Sequence, residues 1–191
     1  MDGTPSKLPQ RFPVTRYRVD SKPTGELFEL ASSSRTAPDQ LYRFVWTLAP
    51  GKKGPGEHYH EDETETFEVV SGTLRIWIAG VSKDYLPGDT VSIAPCVPHR
   101  FLNPGAQPVV VNVSLDGARM EDAFVPLGIA THGRQATLGD LLRFFVILVD
   151  VWPSVPVSGV AKATMGLFVK LLKLVGVKRL EPVLGWDAER A

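Results

Sequence analysis

The chain has 191 residues, 43% of them hydrophobic and 22% charged, which is the composition of an ordinary globular protein of one domain, with or without an appendage. Lys plus Arg and Asp plus Glu both number 21, so the zero net charge gives no electrostatic reason to expect nucleic acid as a partner. The single cysteine, Cys96, excludes an intramolecular disulfide. The N-terminal residues lack the apolar core of a signal peptide, and no apolar run reaches the length of a membrane span, so we expect a cytoplasmic protein.

Composition and pattern divide the chain into three segments. Residues 1–15 contain three prolines and few apolar anchors, and we expect them to form a flexible arm. Residues 16–125 contain short apolar runs separated by glycine and proline turns, which predicts a series of short strands. Residues 126–191 become helical in pattern from about residue 136, and we expect a helical C-terminal extension that serves as a lid, a brace or a dimer contact.

The predicted strands show a period of two. Leu74 and Ile76, for example, alternate with Arg75 and Trp77, so we expect one face of this strand to be buried. Many short strands at even spacing are typical of a sandwich or a small barrel. Examples of the predicted strands are residues 41–48, 66–70, 73–80, 90–95 and 108–115.

Two helices are predicted in the extension. Thr137 and Asp140 have the spacing of a capping box in front of an apolar run, which predicts a first helix from about residue 138. A second helix is predicted from about residue 158 to 175, with apolar residues every three or four positions and lysines on the opposite face. Such a helix packs on its own barrel or on a partner subunit; contact with a membrane surface is a further interpretation.

The stretch GEHYHEDETE contains the residues that carry the functional prediction. On an extended chain, residues two apart project from the same face, so His58 and His60 can act as two ligands of one metal ion. Glu65 follows at the start of the next strand, in phase with Phe67. If Phe67 faces the interior, Glu65 does too, and a buried carboxylate needs a partner that a cation can supply.

His99 offers a third imidazole. It follows a strand and a proline, and it shares a face with Phe101. Three imidazoles and one carboxylate form a mixed nitrogen and oxygen set that suits iron, manganese, nickel, copper or zinc. Four protein ligands around a six-coordinate ion leave two positions open for water or substrate, which separates a reactive site from a closed structural one.

The spacing of these residues resembles the two motifs of the cupin superfamily. The first motif places two histidines, a glutamate and a glycine at fixed intervals, and the second places a glycine, a histidine and an asparagine. The matching positions are His58, His60, Glu65 and Gly72 in the first motif, and Gly88, His99 and Asn103 in the second. Two loops depart from the pattern: Lys52 stands where the first motif opens with glycine, and residues 94–96 read Ala-Pro-Cys instead of Pro-x-Gly.

The resemblance covers residues 40–116 and implies a mainly β fold, a small double-stranded β-helix barrel followed by the helical extension. It also implies that His58, His60, Glu65 and His99 hold a divalent transition metal ion in the mouth of the barrel. Glu65 either stays a ligand or swings away to act as the catalytic base.

The pocket wall and the remaining polar residues are predicted from strand phase. Phe67 and Phe101 are expected to line a substrate pocket, with Trp46 if its strand faces inward, whereas Tyr59 and Trp77 are out of phase and are expected to pack externally. Several polar residues are expected to have other roles. These are Glu61, Asp62, Glu63 and Glu68 as solvated charge, Asn103 and Cys96 as loop residues, and His132 as a surface or tail residue.

The expected function is that of a divalent-metal-dependent cupin enzyme that acts on a small organic molecule as a dioxygenase-like oxidoreductase. A metal-dependent isomerase or lyase is an alternative with the same ligands. A non-catalytic module that binds a metal and a small ligand is an alternative of another class. Because apolar helices are usually buried against something, we expect a homodimer.

Overall fold

The computed structural model describes residues 8–22, 24–131, 134–151, 159–178, 180–181 and 183–188. Within these residues the chain forms nine strands, three helices and a short 3-10 turn, Trp186–Ala188. The strands are β1 (Arg18–Ser21), β2 (Glu26–Ser32), β3 (Tyr42–Leu48), β4 (Glu65–Ser71), β5 (Leu74–Ile78), β6 (Val81–Tyr85), β7 (Thr90–Ile93), β8 (His99–Leu102) and β9 (Val109–Leu115). The helices are α1 (Arg119–Thr131), α2 (Leu138–Val151) and α3 (Gly159–Leu174).

The strands form two antiparallel sheets. The larger sheet has the order β1-β2-β3-β9-β4-β7, and the smaller one has the order β6-β5-β8. Inward-facing side chains of both sheets, such as Val111 from β9 and Ile76 from β5, belong to one hydrophobic core, and both are fully buried. The predicted mainly β fold with a C-terminal helical extension is confirmed.

The five strands named from the sequence are present as β3, β4, β5, β7 and β9, and the structure has four further strands that were not named individually. The clearest case is β6, in which Val81–Asp84 is exposed and only Tyr85 is buried. This edge strand pairs only with β5 and presents polar side chains to solvent, so it lacks the apolar alternation by which a half-buried strand is recognised.

Helix α1 was also missed, and the boundary predicted at residues 125/126 falls inside it. The helix contains Pro126, which lacks a backbone N–H and is unfavourable in a helix interior. Packing overrides this preference: Phe124 lies with its ring centroid 4.8 Å from that of Phe28, and Leu127 is buried. Gly128 helps the approach to β2, because a Cβ there would lie 2.9 Å from Cδ1 of Leu30.

Helices α2 and α3 follow the predicted segments closely. The predicted capping box is present, since Thr137 Oγ1 accepts from the Asp140 backbone N–H at 3.2 Å and an Asp140 carboxylate oxygen accepts from the Thr137 N–H at 2.8 Å. The two helices pack through Val146, Val169 and Leu172. No helix in the described ranges is long and apolar enough to cross a membrane.

Helix α3 also exposes apolar side chains, among them Leu167, Leu171 and Leu174. A second copy of the chain or a membrane surface as their partner stays a prediction. At the other terminus, the described part of the expected arm contacts the barrel. The Phe12 N–H donates to Asn112 Oδ1 at 3.0 Å, and Asn112 Nδ2 donates to the carbonyl of Gln10 at 2.8 Å.

Position 72, in the turn between β4 and β5, requires glycine both for its backbone conformation and for lack of space around it. Its φ is +81°, and a Cβ there would lie 2.8 Å from the Pro108 carbonyl oxygen and from Val109 Cα. Gly80 has a similar φ of +84° with nothing within 4 Å of its Cβ position. We expect Gly80→Ala to lower the free energy of unfolding by about 1 kcal/mol through backbone conformation alone.

Gly72→Ala adds steric overlap to the same conformational cost, and we expect it to lower the free energy of unfolding by at least about 2 kcal/mol. Urea denaturation of the two variants beside the wild type measures both effects. Equal losses for the two variants would show that the backbone contact at Gly72 contributes nothing.

Candidate metal centre

The four predicted ligands come together at one place in the barrel. His58 and His60 lie in the segment before β4, Glu65 is the first residue of β4, and His99 is the first residue of β8. The segment is tied to β8 by an isolated antiparallel bridge, in which the main-chain groups of His58 and His99 exchange hydrogen bonds of 3.0 and 2.8 Å. One ligand atom from each of the four side chains lies within 4.8 Å of the others, and all four side chains are buried.

The other ring nitrogen of each histidine is held by an acceptor. Carbonyl and carboxylate oxygens only accept hydrogen bonds, so each Nδ1 carries a proton and Nε2 is the nitrogen that can offer a lone pair to a cation. This is the arrangement by which proteins orient metal-binding imidazoles. The contacts are His58 Nδ1 to the Gly56 carbonyl (2.8 Å), His99 Nδ1 to the Val97 carbonyl (2.8 Å) and His60 Nδ1 to a Glu63 carboxylate oxygen (3.3 Å).

The residues present fit a cation. Glu65 Oε2 and His99 Nε2 are buried 3.2 Å apart, yet neither atom makes a directed hydrogen bond with any described residue. Glu65 Oε2 also lies 3.3 Å from His60 Nε2. Lone pairs brought this close in a buried site repel one another unless a proton or a metal ion lies between them. A divalent metal ion would satisfy all of them at once.

Burial and mutual contacts shift the ionisation of the cluster. Burial, together with the neighbouring His99, lowers the pKa of His58 to about 4. Burial also acts to lower the pKa of His60, but its contacts with Glu63 and Glu65 outweigh this and raise that pKa to about 9. Burial acts to raise the pKa of Glu65, but the contacts with His60 and His99 hold it well below its usual range.

These pKa values predict that metal binding near pH 7 releases about one proton. Without metal, His60 is protonated below its pKa of about 9, whereas His58 is already neutral above about 4. Protons therefore compete with the ion at the His60 imidazole, and affinity should rise by up to about tenfold per pH unit as the pH increases from 7 towards 9. Titration calorimetry in buffers of different ionisation enthalpy counts the proton. Binding without proton release at pH 7 would contradict this assignment.

A small cavity adjoins the cluster. It has about 20 Å³ of free space, roughly the volume of one water-sized sphere, and His58 and Glu65 form part of its wall. The three side chains predicted to line a pocket all contribute to it, and the ring centroid of Phe101 lies 4.8 Å from that of Phe67 and 5.5 Å from that of Trp46. The rest of the lining is Phe28, Phe44, Pro55, Val113 and Met120.

Glu63 was predicted to be solvated charge, and this was wrong. It is only 3% exposed, and it contacts both His60 and the start of α1. The signal was available, since Glu63 alternates in phase with Glu65 and Phe67, so the argument that turned Glu65 inward applied to it as well. Glu68 is also partnered, accepting from Asn112 Nδ2 at 2.8 Å, whereas Glu61 and Asp62 are exposed as predicted.

The other singled-out residues have structural roles. Asn103 Nδ2 donates to the carbonyls of Leu48 and Gln107, which fixes the loop after β8 as predicted. Cys96 is exposed and has a φ of +63°, a conformation that favours glycine, at the position where the second motif has glycine. Trp77 is half-buried beneath the Arg100 guanidinium, 3.9 Å from its ring centroid. His132 lies outside the described residues.

A known protein family matches part of the chain. Residues 44–116 match the sequence profile of the cupin domain family. The match runs from within β3 to just beyond β9 and shows similarity to cupin domains in this part of the chain. No curated protein sequence matches the chain significantly.

Solved structures similar to this chain include the following three, two of which are described as cupins. KdgF from Halomonas sp. is 19% identical, with a TM-score of 0.46 over 57% of this chain and 96% of its own. An RmlC-like cupin from Shewanella frigidimarina is 17% identical, with a TM-score of 0.45 over 56% of this chain and 91% of its own. The Cnp3 cupin domain of Schizosaccharomyces pombe is 10% identical, with a TM-score of 0.44 over 50% of this chain and 67% of its own.

Proposed function

We propose that this chain is a divalent-transition-metal-dependent cupin enzyme that acts on a small organic molecule as a dioxygenase-like oxidoreductase. The observation that carries the proposal is the buried set of three histidines and one glutamate beside a cavity with aromatic walls. The cavity holds about one water-sized molecule, and its apolar lining suits a small apolar molecule such as dioxygen better than a charged one.

The residues of the chain have distinct roles in this proposal. His58, His60, Glu65 and His99 hold the ion, which when bound supplies Lewis acidity and, for a redox-active metal, one-electron chemistry. Glu65 is a permanent ligand or the base that accepts a proton from the substrate. The aromatic side chains of Trp46, Phe67 and Phe101 keep bulk water away from the ligand atoms.

An organic substrate exceeds the free space of about 20 Å³, so the proposal requires part of the cavity wall to move. The loop before His58 is suited to this because it contains Gly51, Gly54 and Gly56. A Cβ at Gly54 would lie 3.1 Å from the ring of Trp46 and 3.2 Å from that of Phe101, so the loop covers the aromatic wall closely. The side of the cavity next to this loop is the proposed entrance.

Oxygen consumption with a panel of small oxidisable organic molecules tests the proposal. Protein loaded with iron, nickel, copper or manganese should consume oxygen with at least one compound, and metal-free protein and a His60→Ala variant should not. Turnover of a substrate without oxygen consumption, with zinc or manganese bound, would favour an isomerase or lyase. Binding of a small ligand without any turnover would favour the non-catalytic module.

A further inference from the structure

We infer that Glu63 is the positioning residue of His60 and that it connects the start of α1 to the metal centre. The inference rests on the proposed metal-binding function. Both oxygens of the buried Glu63 carboxylate are in use: Oε2 lies 3.3 Å from His60 Nδ1, and Oε1 accepts from the Arg119 N–H at 2.8 Å and from the Met120 N–H at 3.4 Å.

The contact with α1 fixes the carboxylate. The first N–H groups of a helix have no partner within the helix, and a carboxylate that accepts from them is stabilised both by hydrogen bonding and by the helix dipole. Glycine at position 117 makes room for this contact, since a Cβ there would lie 2.6 Å from Glu63 Oε1. The position of the carboxylate, and hence that of its other oxygen, therefore follows the position of the helix.

His60 differs in this respect from the other two histidines. The Nδ1 groups of His58 and His99 donate to main-chain carbonyls two residues earlier in the chain, so their orientation is set locally. Among the described contacts, His60 is the histidine whose Nδ1 is held by a side chain from which a substitution can remove the acceptor. Its orientation, and the Nε2 lone pair that would bind the ion, depend on Glu63.

The connection extends beyond α1. Glu121, in the first turn of the same helix, accepts from the Ser34 N–H at 2.9 Å and from Trp186 Nε1 at 3.0 Å. The C-terminal segment that carries Trp186 therefore helps to hold the helix whose start orients His60. The helical extension is thus linked to the metal centre by contacts through α1 and Glu63, although it supplies no candidate ligand among its described residues.

Glu63→Gln tests the inference, because an amide provides one acceptor oxygen where the carboxylate provides two. The amide oxygen should stay with the two helix N–H groups, so the amide nitrogen faces His60 Nδ1 and cannot accept from it. The imidazole then favours the tautomer with Nε2 protonated, which cannot bind metal. We expect metal affinity to fall by about 10- to 100-fold and the visible absorption spectrum of the Co²⁺-loaded protein to change.

Glu61→Gln is the matched control, since Glu61 is an exposed carboxylate that lies 3.4 Å from the Arg119 guanidinium and should not affect the metal. Gly117→Ala displaces Glu63 without changing its chemistry and should lower affinity in the same direction. If Glu63→Gln binds metal with wild-type affinity, or loses stability while its Co²⁺ spectrum stays unchanged, this inference is overturned and the proposed function is not. A wild type that binds no metal would overturn the proposed function and this inference with it.

Discussion

Replacing His99 by alanine is expected to lower the affinity for divalent transition metals by more than about 100-fold. This loss exceeds the one expected when only a residue that hydrogen-bonds to a ligand is removed. The substitution removes one of four candidate ligands, and Nε2 of His99 is the atom closest to the Glu65 carboxylate, at 3.2 Å. The main-chain bridge between His58 and His99 does not depend on the imidazole, so the barrel should keep its pairing. Competition with a chromophoric chelator measures the affinity.

His132→Ala is the control for this substitution. His132 is the one histidine outside the candidate ligand set, and its removal should leave the affinity unchanged. Equal losses in the two variants would mean that the ligand set is wrong. Urea denaturation of metal-free His99→Ala separates loss of a ligand from loss of the fold.

Replacing Trp186 by alanine is expected to lower the free energy of unfolding by about 3–5 kcal/mol. Trp186 is 3% exposed and packs edge-on against Tyr42, with ring centroids 6.4 Å apart. Its Nε1 also donates to the buried carboxylate of Glu121, which would lose a partner. Urea denaturation measures this loss. A loss of this size with an unchanged dependence of the free energy of unfolding on urea concentration would show that the C-terminal segment is part of the cooperative fold.

Two further variants separate the contributions of Trp186. Trp186→Phe keeps most of the apolar packing but removes the donor to Glu121, and it should cost about 1–3 kcal/mol. Leu184→Ala changes a side chain that is 75% exposed in the same segment, and it should change stability by less than about 0.5 kcal/mol. A loss for Trp186→Ala no larger than that for Leu184→Ala would mean that the segment does not brace the barrel.

The grouping of the four candidate ligands could be predicted because two simple periodicities of the sequence indicate it. The spacing of His58 and His60 places both imidazoles on one face. The alternation along the strand predicts that Glu65 faces inward together with Phe67. His99 depended on the motif around it, since a single histidine carries little information. The structure then brings the four side chains within reach of one ion, although they come from three separate places in the chain.

The missed features depend on tertiary contacts. Helix α1 contains Pro126 and Gly128, which argue against a helix locally, and its stability comes from packing against β2. Glu63 was grouped with its charged neighbours although it alternates in phase with Glu65. The partner that stabilises its buried carboxylate, the start of α1, lies far along the chain and does not show in the local pattern. The size of the cavity follows from how aromatic side chains from different strands pack, which no spacing rule predicts.

The most direct test of the central claim is the metal content of the protein purified without chelator or a histidine tag, beside the His58→Ala/His99→Ala double variant. We predict nearly stoichiometric iron, nickel, copper or manganese in the wild type and none in the variant; zinc in the wild type alone would support the site and shift the chemistry towards Lewis acid catalysis. A wild type that holds no metal even after reloading, or a variant that retains as much, would contradict the assignment of His58, His60, Glu65 and His99 as a metal centre.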